Sequence, residues 1–255
     1  MRRSCASSIR PERYACRIGT VLFVYAHPDD ESFVSGTPLR LAAAGHRTAL
    51  LTLTRGDAGL WHGRAPGSWT GPELAAERAG EWAEAVRTIG YGWSRLLRYP
   101  DGRLADAPPE VVTADIVAAI RETRADAVVT FGPEGAGSEH PDHRAASFFT
   151  ARAFARAALA DQYPERGPAH SALRLYCNAT PHDPARPAAH GALTPTHTID
   201  ISQHEERKTA AFACHRTQAK DRPFFDELLA TRGGREHFHL LIDRSGTVPV
   251  ATELL

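Results

Sequence analysis

The sequence contains little cysteine and has no excess of charge of either sign. Four cysteines occur among 255 residues without a CxxC spacing, which argues against a disulfide framework or a thiolate zinc site. Thirty basic and thirty acidic residues balance, so the basic stripe of a nucleic-acid-binding protein and a polybasic membrane patch are not expected. We therefore predict a small-molecule ligand and a cytoplasmic location. Oligomeric state is not indicated by the sequence.

Long hydrophobic runs and nucleotide-binding motifs are also missing. No apolar segment approaches the length needed to span a membrane, and the N-terminal segment lacks the apolar stretch of a signal peptide. No GxGxxG motif follows the first apolar run, and no Walker lysine is present. We predict a flexible extension over residues 1 to 18, followed by a single domain over residues 19 to 255.

Short apolar runs alternate with segments of helical spacing along the rest of the chain. Strands are predicted over residues 20–26, 48–54, 95–100, 126–132, 172–179 and 196–201. Helices are predicted over residues 35–45, 70–90, 107–123, 141–160 and 202–215. Strands that are apolar throughout favour a largely parallel sheet covered on both faces, so the predicted fold class is α/β.

Two polar turns follow two of the predicted strands. His27, Asp29 and Asp30 come directly after the first strand, and His140 and His143 follow the strand over 126–132 through a glycine-rich loop. Ligands of an open parallel sheet bind beyond the carboxyl ends of its strands, so both turns are predicted on one rim. Within each turn, polar residues three positions apart share a face in helical geometry.

This pattern predicts a metal site. Two histidines and one aspartate with an open position for water form a common catalytic zinc site, and His27, Asp30 and His143 supply this set. The same set also binds Fe²⁺ or another divalent metal. The alternative is that both turns are simply helix N-termini, where acidic side chains are favoured by the helix dipole.

The two motifs also resemble a known family. The segments "AHPDDE" at 26–31 and "HPDH" at 140–143 together resemble the signature pair of the PIG-L (LmbE-like) zinc-dependent N-deacetylases. Weaker similarities lie at 54–59, 75–90, 99–104 and 208–218. The resemblance implies a Rossmann-like three-layer sandwich with a mostly parallel sheet. It also implies hydrolysis of N-acyl groups from amino sugars such as N-acetylglucosamine conjugates.

The resemblance assigns roles to individual residues. It makes His27, Asp30 and His143 the metal ligands, Asp29 the general base and His140 the group that stabilises the oxyanion. Two adjacent carboxylates do not easily share one metal face, which leaves the other carboxylate free to accept a proton.

Other residues around the motifs are assigned to orientation or to substrate binding. Asp142 is expected to orient one of the two histidines beside it, with a helix-capping role as the alternative. Arg78 and Asp101 are expected to bind substrate, and Arg55 is a second-rank candidate. A solvated arginine and a turn aspartate are the alternatives. His215 lies either near the site or in the core as a structural histidine.

One departure and two alternative functions remain open. Ser138 and Glu139 precede the second histidine motif, where many relatives carry glycine, so the conformation of this loop is not predicted. The first alternative function is an amidase of the same family that cleaves a thiol-conjugate amide of the mycothiol S-conjugate type. The second is a sugar- or nucleotide-binding α/β module without catalysis.

Overall fold

The described residues form a seven-stranded, mostly parallel sheet. The computed structural model describes residues 18–181, 191–247 and 250–255, so the predicted extension lies outside the described residues except for Ile18. The strands are β1 (Thr20–Tyr25), β2 (Arg47–Thr54), β3 (Trp93–Tyr99), β4 (Ala127–Thr130), β5 (Arg174–Asn178), β6 (His197–Asp200) and β7 (Arg235–Asp243). Their order is β3-β2-β1-β4-β5-β7-β6. Neighbours from β3 to β5 are parallel, which confirms the predicted α/β fold class.

Helices connect the strands and cover the sheet. They are α1 (Gly36–Ala43), α2 (Gly71–Ile89), α3 (Pro109–Thr123), α4 (Pro141–Ala157), α5 (Glu205–Ala213) and α6 (Arg222–Arg232). A capping box between Thr70 and Glu73 begins α2, and Gly90 ends it with a left-handed φ of 89°. Among the described residues, no helix combines the length and the apolar character needed to cross a bilayer.

The core is centred on β1. All six of its residues are buried, because β2 and β4 pair with its two edges and α3 and α4 pack against it. Burial of a strand on both faces explains why its sequence is an unbroken apolar run. The charged side chains of the following turn therefore come after this apolar run, at the carboxyl end of β1.

Two elements at the end of the chain differ from the sequence-based prediction. Helix α6 and strand β7 were not predicted, and β7 inserts antiparallel between β5 and β6. Each has a weak hydrophobic pattern. Phe225 is the one fully buried residue described in α6, and β7 buries the charged Glu236 as well as Phe238. Because β7 is antiparallel, its first residues lie at the rim where the parallel strands end.

Candidate active site

The turn after β1 has an uncommon backbone conformation. Asp29 has a φ of 108°, and such a conformation costs on the order of 1–3 kcal/mol for a residue other than glycine. Two hydrogen bonds hold the turn: the amide of His27 donates to the Asp30 carboxylate at 2.7 Å, and the amide of Asp29 donates to the Glu31 carboxylate at 3.1 Å. The two carboxylates that follow Asp29 thus fix the backbone that carries it.

The loop between β4 and α4 forms the second half of the site. His140 caps α4, where its ring accepts the amide N–H of the second helical residue at 3.2 Å. The Ser138 hydroxyl lies 3.0 Å from Nδ1 of His143 and donates to the carbonyl of Gly135 at 2.8 Å. Glu139 adopts a left-handed φ of 53°. Glu139, in the segment where many relatives carry glycine, therefore adopts a backbone conformation typical of glycine. Ser138 of the same segment contacts His143.

The two halves converge on Asp30. Its Oδ1 lies 3.2 Å from Nε2 of His143 and its Oδ2 lies 3.4 Å from Nδ1 of His27. His140 joins them, since ring nitrogens of all three histidines lie within 4.8 Å of one another. Phe131 stacks on the His143 ring with a centroid distance of 4.0 Å. The structure thus brings the three predicted ligands and His140 together at one point.

The opposite side of the His27 ring faces two carboxylates. Its Nε2 lies 3.0 Å from Oδ1 of Asp101 and 3.2 Å from Oδ2 of Asp142. The backbone amides of Gly102 and Leu104 donate to the fully buried Asp142 at 2.7 and 2.9 Å. These amides draw the carboxylate towards His27, whereas we expected Asp142 to orient His140 or His143. Carboxylates in this position fix the tautomer and orientation of an imidazole ligand.

The adjacent aspartates have opposite electrostatic environments. Burial raises the pKa of Asp29 to about 6, although the charge of Arg78 offsets part of this effect. Burial acts in the same direction on Asp30, but the charge and hydrogen bond of His143 outweigh it and hold the pKa of Asp30 well below its usual range. Burial and the charges of the neighbouring histidines lower the pKa of His140. Asp29 is therefore the carboxylate suited to exchange a proton near neutral pH.

The predicted substrate-binding residues are placed differently from one another. Arg78 is buried, lies 3.4 Å from the Asp29 carboxylate, and donates to the carbonyls of Pro28 and Gly56. Asp101 lines the cavity of the site, but His27 and a backbone amide already contact its oxygens. Arg55 is not among the residues that line the cavity.

A buried ion pair between Glu31 and His215 lies next to the turn that carries Asp29. The sequence did not predict this pair. Oε1 of Glu31 lies 2.6 Å from Nε2 of His215, and both side chains are fully buried. Burial alone would lower the pKa of His215, but the Glu31 carboxylate outweighs it and raises the pKa. The only sequence signal was the weak similarity over 208–218, which left His215 as either a site residue or a structural one. In the structure His215 contacts Glu31, and the Glu31 carboxylate accepts the amide N–H of Asp29.

A cavity of about 480 Å³ opens above these residues. One end is lined by Asp29, Asp30 and the site histidines. The other end is formed largely by α6 and the start of β7, with Phe224, Leu228, Arg232 and His237. Two loops rich in proline, glycine and histidine, 56–69 and 180–195, which their composition predicts to border a site, also contribute: Ala58, Gly59, Leu60 and Thr180 line the cavity. Residues 182–190 of the second loop lie outside the described residues.

The fold and the site define an α/β protein with a histidine and carboxylate cluster at the carboxyl rim of a mostly parallel sheet. A profile of the family described as GlcNAc-PI de-N-acetylase (PIG-L) matches residues 22–154. This range includes both histidine motifs and reaches into the last turn of α4. The chain belongs to this family.

Individual relatives cover most of the chain. A protein of Catenulispora acidiphila named 1D-myo-inositol 2-acetamido-2-deoxy-alpha-D-glucopyranoside deacetylase 2 is 32% identical over 271 residues, covering 87% of this chain and 88% of its own length. A conserved protein of Thermus thermophilus superposes with a TM-score of 0.70 at 27% identity, covering 91% and 98% of the two chains. The N,N'-diacetylchitobiose deacetylase of Pyrococcus horikoshii shares the fold, with a TM-score of 0.71 at 24% identity over 88% and 84%.

Proposed function

We propose that the protein is a metal-dependent N-deacetylase that hydrolyses the acetamide of an N-acetylglucosamine conjugate. The observation that carries the proposal is the position of Asp30, which contacts both His27 and His143 while the half-buried Asp29 lies directly beside it in the turn. The name of the Catenulispora relative, a deacetylase of a 2-acetamido-2-deoxyglucoside, supports this substrate class.

The chemistry of the donor set fits a divalent metal. His27, Asp30 and His143 offer two imidazoles and one carboxylate from two short turns, which is a set that suits Zn²⁺ and also Fe²⁺. When bound, such a metal acidifies a water molecule and polarises the carbonyl of the amide. The contacts of His27 with Asp101 and Asp142 supply the outer carboxylates that imidazole ligands commonly have.

The remaining residues supply proton transfer and charge stabilisation. Asp29 accepts a proton from the attacking water, and the same proton then passes to the nitrogen of the leaving amine. Arg78, 3.4 Å from Asp29, orients that carboxylate. His140 donates a hydrogen bond to the oxygen that becomes negatively charged as the amide carbonyl is attacked, a role typically worth about 3–4 kcal/mol of activation free energy. The products are acetate and the free amino sugar.

The direct test is release of acetate and of a free amine from N-acetylglucosamine conjugates. We expect activity to be abolished by a chelator and restored by Zn²⁺. Hydrolysis that persists in chelator would place the chemistry outside the His27, Asp30 and His143 set. Metal content of the purified protein, measured by elemental analysis, is expected to approach one divalent ion per chain and to fall in His27→Ala and His143→Ala.

The same assay separates the alternative functions. When mycothiol-type S-conjugates are assayed beside the N-acetylglucosamine conjugates, an amidase would cleave the thiol-conjugate amide faster than any N-acetylglucosaminide tested. A binding module without catalysis would release no acetate from any of them. The identity of the metal, the location in the cytoplasm and the absence of nucleic-acid or membrane partners remain predictions from the sequence.

A further inference from the structure

One face of α6 lies along the cavity instead of the core. Phe224, Leu228 and Arg232 are spaced four residues apart, and residues with this spacing share a face of a helix. All three line the cavity, whereas the neighbouring Phe225 is buried on another face of the helix. We call Phe224, Leu228 and Arg232 the α6 wall. The site histidines line another part of the same cavity.

The apolar part of the α6 wall is open to solvent. Phe224 is 51% exposed, and Leu60, which also lines the cavity, is 55% exposed. The loop that carries Leu60 is fixed, because the Gln218 amide donates to the Leu60 carbonyl at 2.8 Å. Phe33, which follows the metal motif, lies 6.0 Å from Phe224 between ring centroids. Large apolar side chains that line a cavity in this way are typical of a ligand pocket.

Arg232 ends the α6 wall without an acidic partner among the described residues. Burial lowers the pKa of Arg232, and the charge of Glu236 offsets part of this effect. Both oxygens of Glu236 are already used, by Lys208 at 2.6 Å and by the hydroxyl of Thr37 at 2.5 Å. A partly buried guanidinium with no carboxylate partner is the group that binds a carboxylate or phosphate most strongly.

The other cationic groups that the structure describes at this end of the cavity, Lys220 and His237, already have partners. Lys220 contacts the Asp221 carboxylate at 2.9 Å. His237 contacts the Thr198 hydroxyl at 3.0 Å through Nδ1, and burial lowers its pKa, with the charge of Arg232 adding to the effect. Among the described residues that line this part of the cavity, Arg232 is therefore the cation available for a ligand.

We propose that the α6 wall is the subsite for the part of the conjugate beyond the sugar ring, and that Arg232 selects conjugates that carry an anionic group there. The proposal rests on the proposed deacetylase function and adds a chemical class to its substrate. Phe224 and Leu228 pack against the atoms next to the sugar, and Arg232 pairs with a carboxylate or a phosphate at the far end.

The test compares three N-acetylglucosaminides of the same anomeric configuration with matched aryl groups: 4-carbamoylphenyl, 4-carboxyphenyl and 4-phosphophenyl. The first is neutral, and the other two separate a carboxylate from a phosphate. For the wild type we expect kcat/KM to be roughly tenfold or more higher for at least one anionic conjugate than for the neutral one. In Arg232→Gln, this ratio is expected to fall towards one.

The control is Arg235→Gln, which removes an exposed arginine that does not line the cavity. It alters the net charge equally, so the ratio is expected to stay at the wild-type value. Where Arg232→Gln does not fold, Arg232→Met fills similar space without charge and is expected to lose the ratio in the same way.

The outcomes separate this proposal from the proposed function. A wild type that deacetylates all three conjugates equally, or an Arg232 variant that keeps the preference, overturns the role of Arg232 and leaves the deacetylase function standing. A wild type that deacetylates none of the three conjugates, although it is folded and metal-loaded, counts against the proposed function itself.

Discussion

The two ends of the cavity are built in opposite ways. At one end, His27, Asp30, Asp101, Asp142 and His143 form what we call the histidine-carboxylate cluster, in which each side chain contacts another within 3.4 Å. At the other end, the α6 wall combines exposed apolar surface with a guanidinium that has no acidic partner among the described residues. Under the proposed function, the preorganised end carries out the chemistry, and the other end offers groups for recognition of the substrate.

The difference follows from where the two ends lie in the fold. The cluster sits where buried parallel strands end and where α4 begins, so backbone amides and buried neighbours hold its side chains in place. The α6 wall belongs to a helix that buries one phenylalanine and leaves another face in the cavity. Reorganisation at the cluster is costly, whereas side chains of the wall can change without loss of the core.

The largest effect is expected at the adjacent Asp29 and Asp30, of which Asp30 belongs to the cluster. Asp29→Asn keeps the size of the side chain but removes its basicity, so kcat is expected to fall by roughly 10²- to 10⁴-fold with metal retained. Asp30→Asn replaces an anionic ligand with a neutral one, so it is expected to weaken metal binding first and to recover part of its activity in excess Zn²⁺. Metal content and kcat, measured at several zinc concentrations, distinguish the two variants.

The control for this pair is Asp106→Asn, which changes an exposed carboxylate outside the site. It is expected to retain wild-type metal content and kcat. If excess zinc rescues Asp29→Asn and not Asp30→Asn, the two roles are reversed.

The next largest effect is expected for the buried ion pair between Glu31 and His215, next to the cluster. Removal of one partner from a buried ion pair is expected to cost about 3–5 kcal/mol of unfolding free energy, because the other partner is left buried and unpaired. We expect a loss of this size for Glu31→Ala, since Glu31 and His215 are both fully buried. Glu122→Ala is the matched control. Its partner Arg95 is also within 2.9 Å, but the pair is exposed, so about 0.2–1 kcal/mol is expected. Similar losses in urea titrations of both variants would contradict the supporting role of the Glu31 pair.

A somewhat smaller effect is expected for His140, the residue next to the cluster that is proposed to stabilise the oxyanion. His140→Ala is expected to lower kcat by roughly 10²- to 10³-fold, with kcat/KM falling in parallel, because the interaction forms mainly in the transition state. Metal content should stay close to that of the wild type. His143→Ala is the counterpart and is expected to lose the metal. A His140→Ala protein that lacks metal would show that the roles of the two histidines are exchanged.

The sequence predicts the cluster better than the wall for a physical reason. HPDDE and HPDH are short local patterns that follow apolar strands, so their residues and their rim can be read from the chain. Strands β1, β2 and β4 are recognisable because burial on both faces makes them apolar nearly throughout. In contrast, α6 and β7 have mixed patterns and are stabilised by contacts that form only in the folded sheet.

The sequence also did not predict side-chain contacts between residues that are far apart in the chain. Glu31 and His215 are 184 positions apart, and nothing in the local pattern of either indicates the other. Asp142 was expected beside the histidines of its own motif, but backbone amides of the loop after β3 place it against His27. Such contacts depend on how the loops meet at the rim, which strand and helix periodicity does not specify.

The smallest effect on stability is expected for Phe224 of the α6 wall, whose surroundings are opposite to those of the adjacent Phe225 on another face of the helix. Phe225 is buried and stacks on Phe212 with a centroid distance of 4.3 Å, whereas Phe224 is 51% exposed in the cavity. Phe225→Ala is expected to cost about 3–5 kcal/mol of unfolding free energy through loss of buried surface and the cavity left behind. Phe224→Ala is expected to cost about 0.5 kcal/mol or less, as for most surface substitutions. Urea titration of both variants measures the contrast, and KM for aryl conjugates is expected to rise in Phe224→Ala. If Phe224→Ala destabilises the protein as much as Phe225→Ala, the face that carries Phe224 belongs to the core and the α6 wall is not a ligand surface.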